Sequence, residues 1–204
     1  MLDAGQIFTL FFLTLGPLKI LGPYARMTHQ LDERVARGLS FRVFLASVCS
    51  LLVAAFLGRV LLDKWGVSIP ALLIAVGIIF FSVALRTVLA QYDPEPPSFT
   101  PLPENSWAAT LRLTFPTVLT PYGVASVIAL VSLAAEPGRV GMILGLAVAV
   151  MAFNLVAMIF ARKIMRGATL LVLQLLGAVL GVLQVALSIQ IVIWALQELG
   201  VLAV

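Results

Sequence analysis

The feature that most constrains this chain is a series of six apolar stretches, each long enough to cross a lipid bilayer. A spanning helix needs about 20 mostly apolar residues, rising about 1.5 Å each, to cross a hydrocarbon core about 30 Å thick. Ala4 to Leu21, Val43 to Leu62, Trp65 to Leu85, Leu113 to Ala135, Val140 to Ala161 and Gly167 to Gln197 meet that requirement, with Arg59 near one end of the second. Of 204 residues, 62% are hydrophobic and 11% charged, far from the composition of a water-soluble domain. The runs are rich in Leu and Ala and lack a period of two, which argues against a membrane β-barrel. The last is uncharged over about 31 residues, so it is expected to tilt or to begin with an interfacial piece. No Lys or Arg precedes the first run and no small-x-small site follows it, so the first helix is expected to be retained rather than cleaved as a signal peptide.

The connections set the topology. Arg26 to Arg42 is a charged loop, expected to hold a short surface helix with Asp32, Glu33, Arg34 and Arg37. Gln91 to Ser106 is acidic and rich in proline (Pro94, Pro96, Pro97, Pro101, Pro103), which excludes regular helix. This linker, over residues 92–106, divides one transmembrane domain (1–204) into three-helix units at 1–91 and 107–204. The loops after helices one, three and five carry Arg26, Arg34, Arg37, Arg42, Arg86, Arg112, Arg162, Lys163 and Arg166, against Arg59, Lys64 and Arg139 on the other side. By the positive-inside rule the linker is cytoplasmic and both termini lie on the non-cytoplasmic side. Three helices per unit also place the two units in opposite orientations. The predicted fold is an all-α membrane protein: six transmembrane helices as two inverted three-helix repeats.

Matching interruptions mark helices one and four. The first contains Gly16-Pro17-Leu18-Lys19-Ile20-Leu21-Gly22-Pro23-Tyr24, the second Pro116-Thr117-Val118-Leu119-Thr120-Pro121-Tyr122-Gly123. Proline removes a backbone N–H and clashes with the carbonyl four residues back, so paired prolines predict broken helices. Such freed backbone groups are tolerated at membrane depth only where protein or a water-filled cavity satisfies them. Breaks at corresponding places in two repeats point to a transport site near the midplane; the alternative is that they are packing kinks. The candidate substrate-binding residues are Thr14, Gly16, Pro17, Lys19, Gly22, Pro23, Pro116, Thr117, Thr120, Pro121, Tyr122, Gly123 and Asn154.

Lys19 is the one cation well inside a predicted span, roughly 22 Å along the first helix. It is either a counter-charge or proton acceptor for a solute, or a side chain snorkelling to the headgroups. No Asp or Glu lies deep in a span, which gives no support to a mechanism using a buried carboxylate. Asn154 and the glutamines of helix six, Gln174, Gln184 and Gln190, can bond across helices, each bond contributing roughly 0.6 kcal/mol. Gly141 with Gly145, and Gly177 with Gly181, have the spacing of close helix approach or dimerisation, with packing inside the monomer the expected use.

Other chemistry finds little support. One cysteine, Cys49, allows no disulfide within a monomer, and His29 with no suitable companions makes no metal site. The net charge of +4 follows topology rather than a nucleic-acid surface, since no basic stripe with interleaved aromatics is present. No nucleophile and base pair or nucleotide-binding glycine loop is found, so neither enzymatic activity nor a cofactor is expected. The expected partners are the lipid bilayer and a small-molecule solute, without nucleic acid; a homo-oligomer is left open.

The helix-three segment Gly66-Val67-Ser68-Ile69-Pro70-Ala71-Leu72-Leu73-Ile74-Ala75-Val76-Gly77 resembles the G-[IV]-S-[IL]-P-x-L-x-I-A-x-G signature of the MarC family, bacterial six-helix inner-membrane proteins. Pro116 to Gly123 resembles that family's helix-four segment, and the order of the six spans agrees over nearly the whole chain. The chain departs from the pattern around the first-helix prolines, where it has Gly16, Lys19 and Ile20 instead of a polar Asn, often with Asp. It also has Gln174 where an Arg is common, and so looks like a divergent branch. The resemblance implies a multi-pass protein of the bacterial inner (plasma) membrane, and the family's similarity to LysE-type exporters implies export of a small solute. The expectation is a secondary transporter exporting a small polar or anionic solute; the alternative is a non-transporting membrane scaffold or regulatory component.

Overall fold

The computed structural model describes residues 3–89, 106–165 and 169–202, and all regular structure among them is helical. Helix α1 (Ala4–Leu15) begins at Asp3, whose carboxylate accepts from the Gln6 amide at 2.8 Å while the Gln6 side chain accepts from the Asp3 amide at 2.9 Å. Gly16 is extended, and α2 (Leu18–Met27) continues past it. Helix α3 (Glu33–Trp65) stops at Gly66, where the left-handed φ of +62° suits glycine. After α4 (Ile69–Leu89) come α5 (Ser106–Arg112), a π-helical segment (Leu113–Val118), α6 (Pro121–Leu133), α7 (Pro137–Ile164) and α8 (Thr169–Glu198).

Among the described residues five helices are long and apolar enough to cross a membrane: Ala4–Met27, α3, α4, α7 and Leu176–Glu198 of α8. Trp107–Val118 and Pro121–Leu133, bent by 68° to one another, make a sixth when counted together as one broken span rather than as a re-entrant loop. The outer surface is apolar: Val53 and Val182, at 61% and 59% exposure, are faces for lipid rather than water.

The boundaries differ from expectation in one informative place. The surface helix foreseen around Asp32 to Arg37 is the first turns of α3, because no proline interrupts Glu33 to Trp65. Its 33 residues make a rod of about 50 Å, so its charged start extends beyond a hydrocarbon core of about 30 Å. Residues 92–105 of the proline-rich linker, Arg166 and the side chain of Gln174 lie outside the described residues, and Ser106 opens α5.

Helices α3, α6 and α7 pack together, α1 and α2 lie against α7, and α4 runs along α8. A cluster including Ile7, Phe11, Leu15, Leu51, Leu119, Val127 and Met151 forms the main core, and Phe80, Tyr122 and Ile191 a second. Glycine sets the distances. A Cβ on Gly77 would lie 2.5 Å from Val192 Cγ2 and 3.0 Å from the Ser188 carbonyl, so α4 and α8 approach closely there. A Cβ on Gly141 or Gly145 would meet nothing within 4 Å; both are exposed, contrary to the expected role inside the monomer. The two share one face of α7, but that face is the outer one.

Candidate functional site

The geometry follows from four backbone carbonyls. In an uninterrupted helix the carbonyls of residues 12 to 15 would accept from the amides of residues 16 to 19. Pro17 has no amide hydrogen, and Gly16 at ψ 172° carries the chain out of helical register. The Phe12 carbonyl comes so close to Gly16 that a Cβ there would lie 1.9 Å from its oxygen. The next three are each met by a side chain from a different part of the fold. Gln184 Nε2 of α8 donates to Leu13 O at 2.7 Å, Thr120 Oγ1 to Thr14 O at 3.0 Å, and Asn154 Nδ2 of α7 to Leu15 O at 2.7 Å.

Thr120 belongs to the second break, so the two interruptions touch. The chain is non-helical at Phe115 and again at Leu119, and Thr120 then caps α6 by accepting from the Gly123 amide at 3.3 Å. A Cβ on Gly123 would lie 2.3 Å from Leu15 Cδ2 and 2.8 Å from Thr120 Oγ1, so glycine is what lets α6 close on α1. The 12 residues of α1 and 13 of α6 put this contact about 18–20 Å from the far end of each helix, a distance shorter than the thickness of a hydrocarbon core of about 30 Å.

Beside the contact, in the first turn of α2, Lys19 Nζ donates to the Tyr122 hydroxyl and stands 4.3 Å from the centre of its ring. The other aromatic contact fixes the phenol: Phe80 of α4 stacks on Tyr122 with centroids 5.1 Å apart and planes at 16°. No carboxylate pairs with Lys19 among the described residues. The α2 amino-terminal end, the α6 amino-terminal end and this amine therefore form an electropositive corner, while the carboxyl-terminal end of α1 is electronegative.

Of the candidate residues, Thr14, Gly16, Pro17, Lys19, Thr120, Tyr122, Gly123 and Asn154 are brought to this junction. Pro121 opens α6 but is exposed, as is Pro116. Pro23 lies inside α2 rather than at a break, because only one ladder bond is lost there and Ile20, Leu21, Tyr24 and Ala25 bury around it. Gly22 would meet nothing within 4 Å if it carried a Cβ, and Thr117 makes none of the contacts just described. Gln184 and Phe80 belong to the junction but were not among the candidates. Gln184 was visible as an amide in an apolar span; an unremarkable Phe80 gave no signal.

Residues 3–199 match the family described as MarC family integral membrane protein. Comparison with curated proteins and with solved structures gives no match. With a match over nearly its whole length, and with apolar helices of spanning size, the chain belongs to the MarC family of integral membrane proteins.

Proposed function

We propose that the protein is a secondary transporter that exports a small polar or anionic solute across the bacterial inner membrane. The observation that carries this reading is Lys19: an amine at membrane depth, beside two touching helix breaks, with no carboxylate partner among the described residues. Holding a cation there without an anion is costly, and a solute anion offsets that cost when bound. The amino-terminal ends of α2 and α6 add donors and dipoles of the required sign. The packing supports two inverted repeats around this site. Span one contacts span four, span two contacts span five and span three contacts span six, while the contacts of span one with five are mirrored by those of span four with two. Charge distribution supports a cytoplasmic linker and non-cytoplasmic termini.

The test is thermal stabilisation of purified protein by a panel of small organic and inorganic anions, since a ligand of the folded state raises the melting temperature by mass action. A stabilising anion should lose its effect in Lys19→Met while the variant stays folded. An unchanged shift in that variant removes Lys19 from the site. A second reading, a non-transporting scaffold, is favoured by the closeness of the Gly123 and Leu15 contact and by the three occupied carbonyls. It expects cysteine at position 120 to resist a water-soluble thiol reagent in all conditions, whereas a transport pathway exposes it.

A further inference from the structure

The electronegative side of the junction carries its own information. The carbonyls of Leu13, Thr14 and Leu15 follow one another at the carboxyl-terminal end of α1, where the helix dipole is negative. Each oxygen has two lone pairs, and one side-chain donor uses one of them. Thr120 Oγ1 lies 3.0 Å from Thr14 O. Asn154, 1% exposed, points its nitrogen at Leu15 O, and the oxygen of the same amide is buried with no hydrogen-bond partner. An orphaned acceptor at this depth calls for a donor or a cation.

The ligand chemistry narrows the choice. The oxygens come from carbonyls, an amide and a hydroxyl, and none bears a formal charge. Among the described residues no cluster of His, Cys, Asp or Glu could hold a metal ion. Neutral hard oxygens at the negative end of a half-helix suit a monovalent cation better than a divalent or transition metal ion. Thr120 Oγ1 and Thr14 O, 3.0 Å apart, favour a small one. From this arrangement we infer that the break in helix one binds a sodium ion through Thr14 O, Leu15 O, Thr120 Oγ1 and Asn154 Oδ1. Half a turn of the Asn154 side-chain amide exchanges Nδ2 for Oδ1 beside Leu15 O, so that the ion takes the place of that hydrogen bond as the bridge between the two oxygens. The inference deepens the transporter reading by naming a coupling ion, but the binding itself needs no solute.

The experiment compares melting temperatures of the purified full chain in sodium, potassium and choline chloride at equal ionic strength. Sodium should raise the melting temperature selectively, by roughly 5–10 °C at a hundredfold excess over Kd. Asn154→Ala should abolish the difference between salts and Thr120→Val should diminish it. Lys19→Met should retain it even where stabilisation by a solute anion is lost, which separates failure of the solute site from failure of the ion site. Should Asn154→Ala not fold, Asn154→Asp supplies the test, because a carboxylate at the same position should enlarge the sodium shift. Equal melting temperatures in the three salts, a sodium shift intact in Asn154→Ala, or no enlargement in Asn154→Asp overturns the inference.

Discussion

Replacing Gly123 by alanine puts a methyl group where the two helix breaks meet. Its Cβ would lie 2.3 Å from Leu15 Cδ2, 2.7 Å from Leu15 Cγ and 2.8 Å from Thr120 Oγ1. Carbon atoms rest about 3.5–4.0 Å apart, so Leu15 must withdraw by more than about 1 Å. It has nowhere to go: Leu15 is 1% exposed, and its carbonyl is held by Asn154. Overpacking of this kind costs about 1–3 kcal/mol. Separation of α1 from α6 also breaks the Thr120 to Thr14 bond, adding roughly 0.6 kcal/mol, while the helix propensity of alanine returns about 1 kcal/mol. The net expectation is destabilisation by about 1–3 kcal/mol. Gly141→Ala is the matched control, since its Cβ meets nothing within 4 Å and the same propensity gain of about 1 kcal/mol stands alone. The two variants should therefore differ by about 2–4 kcal/mol in unfolding by sodium dodecyl sulfate in mixed micelles, followed by loss of helical circular dichroism. Equal stability of Gly123→Ala and Gly141→Ala would refute the claim that glycine sets this approach.

Two further predictions concern the turn between α2 and α3. The Tyr24 hydroxyl donates to the Ala36 carbonyl at 2.8 Å and lies 2.7 Å from Ser40 Oγ, so Tyr24→Phe should cost about 1 kcal/mol in the same unfolding assay. Arg162 of α7 donates to the carbonyls of Thr28 and Leu31, and Arg162→Ala should increase hydrogen exchange at residues 28–31 while exchange in α8 stays unchanged.

How much of this could be read from the chain depended on the range of the interaction. Spanning helices follow from local hydropathy, so the apolar runs and the helical class were legible. The prolines announced interruptions, but which proline ends a helix depends on its neighbours. Gly16 lets the Phe12 carbonyl approach before Pro17, whereas Pro23 sits in a turn buried on several sides. The polar residues of the spans were visible as residues needing partners. That Gln184 and Asn154 reach carbonyls of α1 was not, since it depends on how α7 and α8 pack against a break far away in sequence. Glycine spacing misled for a related reason: Gly141 and Gly145 carry the familiar interval, yet Gly77 and Gly123 make the close approaches. Spacing reports a shared face, not what stands opposite it.

The caps of α1 also bear on the order in which the protein is made. Thr120, Asn154 and Gln184 follow their carbonyl partners by 106, 139 and 171 residues. During synthesis Leu13, Thr14 and Leu15 are made before any of these donors, which follow one at a time in the order Thr120, Asn154 and Gln184. A segment made before all three of its donors is thus completed only after the last of them. A nascent chain halted before Gln184 carries a Leu13 carbonyl whose side-chain donor has yet to be made, so the cap of α1 is a property of the finished chain and not of its first helix.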